Sequence, residues 1–83
     1  MDTITFDIEP IVLSKDNYFY VYEKGNELIK NVWIIKSAVC SVRHKIDKET
    51  DVHKITVYAL PGIKIILLFD GEAYHIADLF KEC

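Results

Sequence analysis

Ala38-Val39-Cys40-Ser41-Val42, Ile55-Thr56-Val57-Tyr58 and Ile63-Lys64-Ile65-Ile66-Leu67-Leu68-Phe69 decide the fold of this chain. With Val32-Trp33-Ile34-Ile35 just upstream, they make a run of apolar segments from Val32 to Phe69, interrupted at two marked turns. β-Branched and aromatic residues recurring at period two suit a pleated, half-buried surface, so the chain reads as mainly β.

The hairpin inside this run can be put in register. Ala38, Cys40 and Val42 form one apolar face, and Ile55, Val57 and Ala59 another. Pairing Val42 with Ile55, Cys40 with Val57 and Ala38 with Ala59 keeps both sets on one side of the sheet. A slip of one residue would divide the core between the two faces. This register makes Asp47-Lys48-Glu49-Thr50 a charged loop tip, sets His44 opposite His53, and brings Val39 near Tyr58 on the other face. Leu60-Pro61-Gly62-Ile63 carries the signal of a type II turn, with Pro and Gly at the central positions. Such a turn fits strand twist poorly, so a slightly longer or bulged connection is expected. The strand that follows turns Ile63, Ile65, Leu67 and Phe69 to one face and Ile66 and Leu68 to the other, a pattern that calls for cover on both sides.

Upstream, Ile4, Phe6 and Ile8 alternate with polar residues in a first strand, and Pro10 ends it or marks an edge. Ile11-Val12-Leu13 precedes the turn signal Ser14-Lys15-Asp16-Asn17. Tyr18 to Glu23 reads as a strand with Tyr18, Tyr20 and Tyr22 on one face and Phe19 and Val21 on the other; Lys24-Gly25-Asn26 then turns the chain. Glu27 to Lys36 is ambiguous, because Leu28, Ile29, Val32 and Trp33 also fall at helical spacing; strand is favoured. At the C-terminal end Ala73, Ile76, Ala77 and Phe80, widened by Leu79, mark one face of a short amphipathic helix. The competing reading is a hairpin at Asp70-Gly71 with Tyr74 and Ile76 in a last strand. The expected fold is one β-rich domain over residues 1–83: a single curved antiparallel sheet or small barrel of about five or six strands, with a short C-terminal helix.

Length and composition narrow the function. Eighty-three residues leave room for one core, and 51% hydrophobic residues are ample to build it. The net charge of −3 speaks against general nucleic-acid binding and is too small for a DNA mimic. Cys40 and Cys83 do not make a disulfide framework; Cys40 is expected buried in its apolar strand and Cys83 frayed at the end. Met1 to Glu9 holds two acids besides Glu9 and no basic segment, so no secretory signal is read there, and the longest apolar run is far short of a membrane span. A cytoplasmic location follows as the expectation. Twelve Ile, with nine Lys against one Arg, point to an AT-rich coding genome.

No constellation supports catalysis. Cys40 and His44 lie roughly 13 Å apart along a strand at about 3.3 Å per residue, too far to share a metal ion. His75 and Asp78 could pair on the helix with Glu72 nearby, but no nucleophile is within their reach. Asp47, Glu49, Asp51, Asp70 and Glu72 lack the spaced ligands and Gly of a calcium loop, and three isolated glycines cannot cradle a phosphate. No enzyme activity, cofactor or metal is expected.

The remaining candidates are surfaces. Tyr18, Tyr20 and Tyr22 can pack at a sheet rim, bind a protein, or stack single-stranded nucleic acid, although Asp16 and Glu23 flank them. Arg43, the sole arginine, is expected outward beside Lys45 and near Lys54, in a basic group diluted by the acids of the loop tip. Trp33 is expected to fill the core. The chosen partner-binding residues are Tyr18, Tyr20, Tyr22, Arg43, Lys45 and Lys54. The chosen function is a small non-enzymatic module that docks on a larger protein and modulates it, with the size and character of phage or mobile-element inhibitors and immunity proteins. A homodimer through edge strands would be a natural outcome. The alternative is a small barrel binding single-stranded nucleic acid through the tyrosine strand, with Arg43, Lys45 and Lys54.

Overall fold

The computed structural model describes residues 2–70 and 75–80. Its strands are β1 (Asp2–Phe6), β2 (Pro10–Ser14), β3 (Tyr18–Glu23), β4 (Asn31–Ile35), β5 (Val39–Asp47), β6 (Val52–Ala59) and β7 (Ile63–Asp70). One 3-10 turn, Lys36–Ala38, joins β4 to β5, and a helix, α1 (His75–Phe80), follows β7.

The strands form two sheets, a four-stranded one in the order β1-β7-β6-β5 and a three-stranded one in the order β2-β3-β4. This replaces the expected single sheet or barrel. The difference has a local cause. The 3-10 turn and the irregular step between Val39 and Ser41 let the chain leave one sheet at Ile35 and enter the other at Val39. Nor is the larger sheet wholly antiparallel: β1 pairs with β7 in parallel, Ile4 beside Ile65 and Phe6 beside Leu67. A parallel partner so distant in sequence leaves no turn signal to read.

Phe19, Val21, Val12 and Ile34 from the smaller sheet join Phe6, Ile55, Val57, Ile65 and Leu67 from the larger in one buried cluster. Helix α1 lies against β2 and adds Ile76 and Phe80 to it. The expected helical face is thus present at those two positions; Ala73 and the Asp70-Gly71 hairpin alternative fall on or run into residues outside those described. Phe19 and Phe80 meet with ring centroids 4.7 Å apart. Pro10 opens β2 at the edge of its sheet, where its missing N–H costs no ladder bond.

The alternation in β7 stands as read: Ile65, Leu67 and Phe69 are buried, while Ile66 and Leu68 are half-buried on the outer face. Among the described residues the cover of that outer face comes from within the sheet. Thr5 of β1 lies beside Ile66, and Thr56 and Lys54 of β6 flank Ile66 and Leu68 within the sheet. The β6–β7 connection is the three residues Leu60-Pro61-Gly62, with a cis Leu60–Pro61 bond and Gly62 at φ 155°, in place of a type II turn.

The β5–β6 hairpin departs from the expected register by two residues. Val42 pairs with Val57 and His44 with Ile55, so the tip is Lys48 to Asp51, with Asp51 in the left-handed region at φ 55°. Val39 lies beside Ala59, not Tyr58. From Val42 to the tip a shift of two conserves the face of each side chain, so the hydrophobic pattern that rejects a one-residue slip cannot reject this one. Before the irregular step the shift is one, and Val39 packs against the core in place of Cys40.

Glu9, between β1 and β2, is also left-handed at φ 43°, and its carbonyl accepts a hydrogen bond from the Lys24 N–H. Its carboxylate lies 3.9 Å from Lys24 with both side chains mostly exposed, a pair that contributes little. Glu9→Gly is therefore expected to stabilise the fold by about 0.5–1 kcal/mol, because relief of the left-handed strain exceeds glycine's added unfolded-state entropy. The urea midpoint should rise; a fall would show that the carboxylate matters more than the backbone.

Candidate functional site

Parity in β3 and its neighbours builds the first surface. Phe19 and Val21 point into the core, so Tyr18, Tyr20 and Tyr22 point away from it, as their alternation predicts. Tyr20 lies between Leu13 of β2 and Trp33 of β4, Tyr22 between Ile11 and Asn31, and Tyr18 beside Ile35. The outer face of the smaller sheet is thus almost entirely apolar and aromatic. Trp33 is 61% exposed and Ile35 59%, so the expectation that Trp33 fills the core is overturned. Ile34, opposite Phe19, takes the inward position instead. Trp33 stacks on Tyr20 with centroids 5.0 Å apart, and Tyr20 touches Tyr22 at 5.3 Å.

The loop from 24 to 30 is tied to this face. Tyr20 Oη donates to Glu27 Oε1 at 3.0 Å, and Asn31 Nδ2 donates to the Glu27 carbonyl. Desolvation, with the Glu27 hydrogen bond and charge behind it, raises the Tyr20 hydroxyl above its usual range. The same loop presents Leu28 and Ile29 almost fully to solvent. Leu13, Leu28, Ile29 and Ile35 escaped the reading of the sequence as surface residues; the period-two pattern of β3 was the available signal, but only the pairing of β4 carries it across to Trp33 and Ile35.

Glu23 ends β3 on the inner face and is buried. Its carboxylate accepts from the Ile8 N–H at 2.9 Å and pairs with Lys30 at 3.0 Å. Burial pushes this carboxyl up, but Lys30 and the backbone N–H groups of Ile8 and Asp7 outweigh it, and the net displacement is downward. This buried acid anchors the loop that frames the aromatic face.

The second surface is the outer face of the four-stranded sheet. Arg43, Lys45 and Lys54 lie there as expected, with Lys45 directly opposite Lys54. Lys64 joins them, and with Thr56 and Tyr58 they line a shallow hollow. The Lys64 ammonium sits 5.6 Å from the centre of the Tyr58 ring. Among the described residues these four cations make no ion pair. Lys64 was missed from the sequence because its place beside Tyr58 depends on the β6–β7 register.

The six chosen residues therefore form two sites, not one: the tyrosines belong to one sheet, and Arg43, Lys45 and Lys54 to the other. Cys40 is exposed, not buried, at the irregular step where β5 begins, its Sγ 3.6 Å from the Ala38 carbonyl. His44 and His53 are not directly opposite; they meet on the diagonal, ring nitrogens 2.9 Å apart, and His53 is buried against Phe69. Asp51 lies 3.9 Å from the far nitrogen of His53. Among the described residues no three His, Cys, Asp or Glu side chains cluster to hold a metal ion, and no helix is long and apolar enough to cross a membrane. Asp78 is exposed, while Glu72 and Cys83 fall outside the described residues. Compared with known proteins, the chain matches no family, no curated protein and no solved structure.

Proposed function

We propose that this chain is a non-enzymatic, cytoplasmic protein-binding module that docks on a larger protein and modulates it through the outer face of the three-stranded sheet. One observation carries the reading: the row Leu13–Tyr20–Trp33 lies on that face, its leucine exposed, its tyrosine half-buried and its tryptophan mostly in solvent. Exposed apolar patches rimmed by polar groups mark association surfaces, and Trp and Tyr dominate the energy of such contacts. The small size of the chain accords with an inhibitor or immunity-like protein of a phage or mobile element, an analogy of character alone.

The arrangement favours protein over single-stranded nucleic acid. A stacking platform works with cations beside its aromatics. Here Tyr20 is bonded to Glu27, and Arg43, Lys45 and Lys54 belong to the other sheet.

Trp33 is the only tryptophan, so its fluorescence reports on this face directly. Tagged full-length chain purified from its own cells is expected to retain a stoichiometric protein partner and to show blue-shifted emission. Trp33→Ala is expected to weaken that complex by thirtyfold or more, the effect of losing about 2 kcal/mol at a hot spot. Capture that survives Trp33→Ala unchanged, or co-purifying nucleic acid in place of protein, would overturn the reading.

A further inference from the structure

Strand β5 is the longest in the fold and lies at the edge of its sheet, so among the described residues one side of its backbone has no strand partner. Edges of this kind template the addition of another strand. Most side chains on both faces of β5 are exposed as well. Arg43 and Lys45 project from the outer face, exposed. On the inner face Val42 is half-buried, His44 exposed and Ile46 50% exposed.

The charges on this edge are arranged against the domain's own interest. Lys45 faces Lys54 across the ladder, a like-charge pair that weakens strand pairing. Arg43 and Lys64 add to the same field, and none of the four is neutralised by a carboxylate among the described residues. Acidic groups return only at the hairpin tip, where Asp47 and Asp70 flank Val52. In a chain of net charge −3, this is a local positive strip beside a free edge.

We propose that β5 recruits an extended acidic segment of a partner protein by antiparallel strand addition. Register specifies the segment. Residues opposite Lys45 and Arg43 are acidic, and those opposite Ile46, His44 and Val42 are apolar, so the core of the ligand reads apolar-acid-apolar-acid-apolar. Its carboxylates neutralise Arg43 and Lys45 and relieve the repulsion with Lys54. Where a second copy of this chain would meet the cations it is the weaker occupant: self-pairing centred on His44 sets Arg43 against Lys45, and centring on Arg43 sets that residue against itself. Centring on Lys45 or Ile46 instead brings Asp47 opposite Arg43 or Lys45, so a dimer in those registers is the competing outcome that the test must separate. The cations select an anionic partner. This inference rests on the protein-binding reading above and gives the module a second contact, on the other sheet.

The test uses the full chain, isotope-labelled, and an acetylated peptide with Val-Glu-Val-Glu-Val flanked by threonines. At low salt the peptide is expected to shift the resonances of residues 39–47 and to slow hydrogen exchange of β5 amides, with an affinity that falls as salt rises. Arg43→Glu/Lys45→Glu should weaken it at least tenfold and should instead bind the Val-Lys-Val-Lys-Val peptide. Trp33→Ala should leave peptide binding unchanged, which separates this result from the partner capture that reads the aromatic face. The proposal fails if the acidic peptide leaves β5 unshifted at millimolar concentration or if the lysine peptide binds the unaltered chain equally well. It also fails if oligothymidylate shifts β5 and the acidic peptide does not, or if light scattering shows a dimer whose β5 amides are already protected from exchange without peptide.

Discussion

Phe19→Ala is expected to lower the stability of this domain by about 3–5 kcal/mol, the range for truncating a buried aromatic. The ring is fully enclosed, meets Phe80 at a tilt with centroids 4.7 Å apart, and has the Lys36 ammonium 5.0 Å from its centroid. It is therefore a contact among the smaller sheet, helix α1 and the turn that leads to the larger sheet. An 83-residue domain has roughly 4–12 kcal/mol in total, so the variant should lose a quarter or more of its stability. Trp33→Ala sets the contrast. Trp33 is the neighbour of Ile34, the partner of Phe19, but on the outer face, and its loss should cost less than about 1 kcal/mol of fold stability. Urea unfolding of the two variants checks the assignment of faces. Equal losses would mean that β3 and β4 do not divide inside from outside as described.

The second large effect is expected at Glu23. Glu23→Ala removes a buried carboxylate, leaving the Ile8 N–H without its acceptor and Lys30 without its pair, at a cost of about 2–3 kcal/mol. Lys30 is a third exposed, which keeps the figure below that of a fully buried pair. The effect depends on pH with a definite sign. Because the folded carboxyl titrates below its ordinary value of 4.5, its contribution is complete above that value and is lost as pH falls through the lowered folded value. Thermal unfolding of the unaltered chain should weaken on that acid side, and Glu23→Gln should flatten the slope there while costing less than Glu23→Ala at neutral pH. A slope unchanged in Glu23→Gln would assign the acid sensitivity to other carboxylates.

These two residues also show how far the sequence could be read. Phe19 was half legible: the alternation in Tyr18-Phe19-Tyr20-Val21-Tyr22 sets Phe19 and Val21 opposite the tyrosines, but which of the two faces is buried only the packing of the sheet decides. Glu23 was not, since a lone acid at a strand end looks like the first residue of a solvated turn. Only the return of the loop from 24 to 30, with Lys30, and the approach of Ile8 make it a buried anchor.

By itself the sequence determined that this chain is β-rich, where most strands run, and which side chains share a face in β3, β6 and β7. Those properties follow from period-two alternation, which is local. Tertiary structure decided the rest: the division into two sheets, the parallel pairing of β1 with β7, the two-residue choice of hairpin register, and the exposure of Trp33. Each of these is a choice among pairings that bury the same pattern of apolar residues, so nothing in the alternation distinguishes them. The same choice separates the tyrosines from Arg43, Lys45 and Lys54, turning one anticipated surface into an aromatic face and a cationic edge on different sheets.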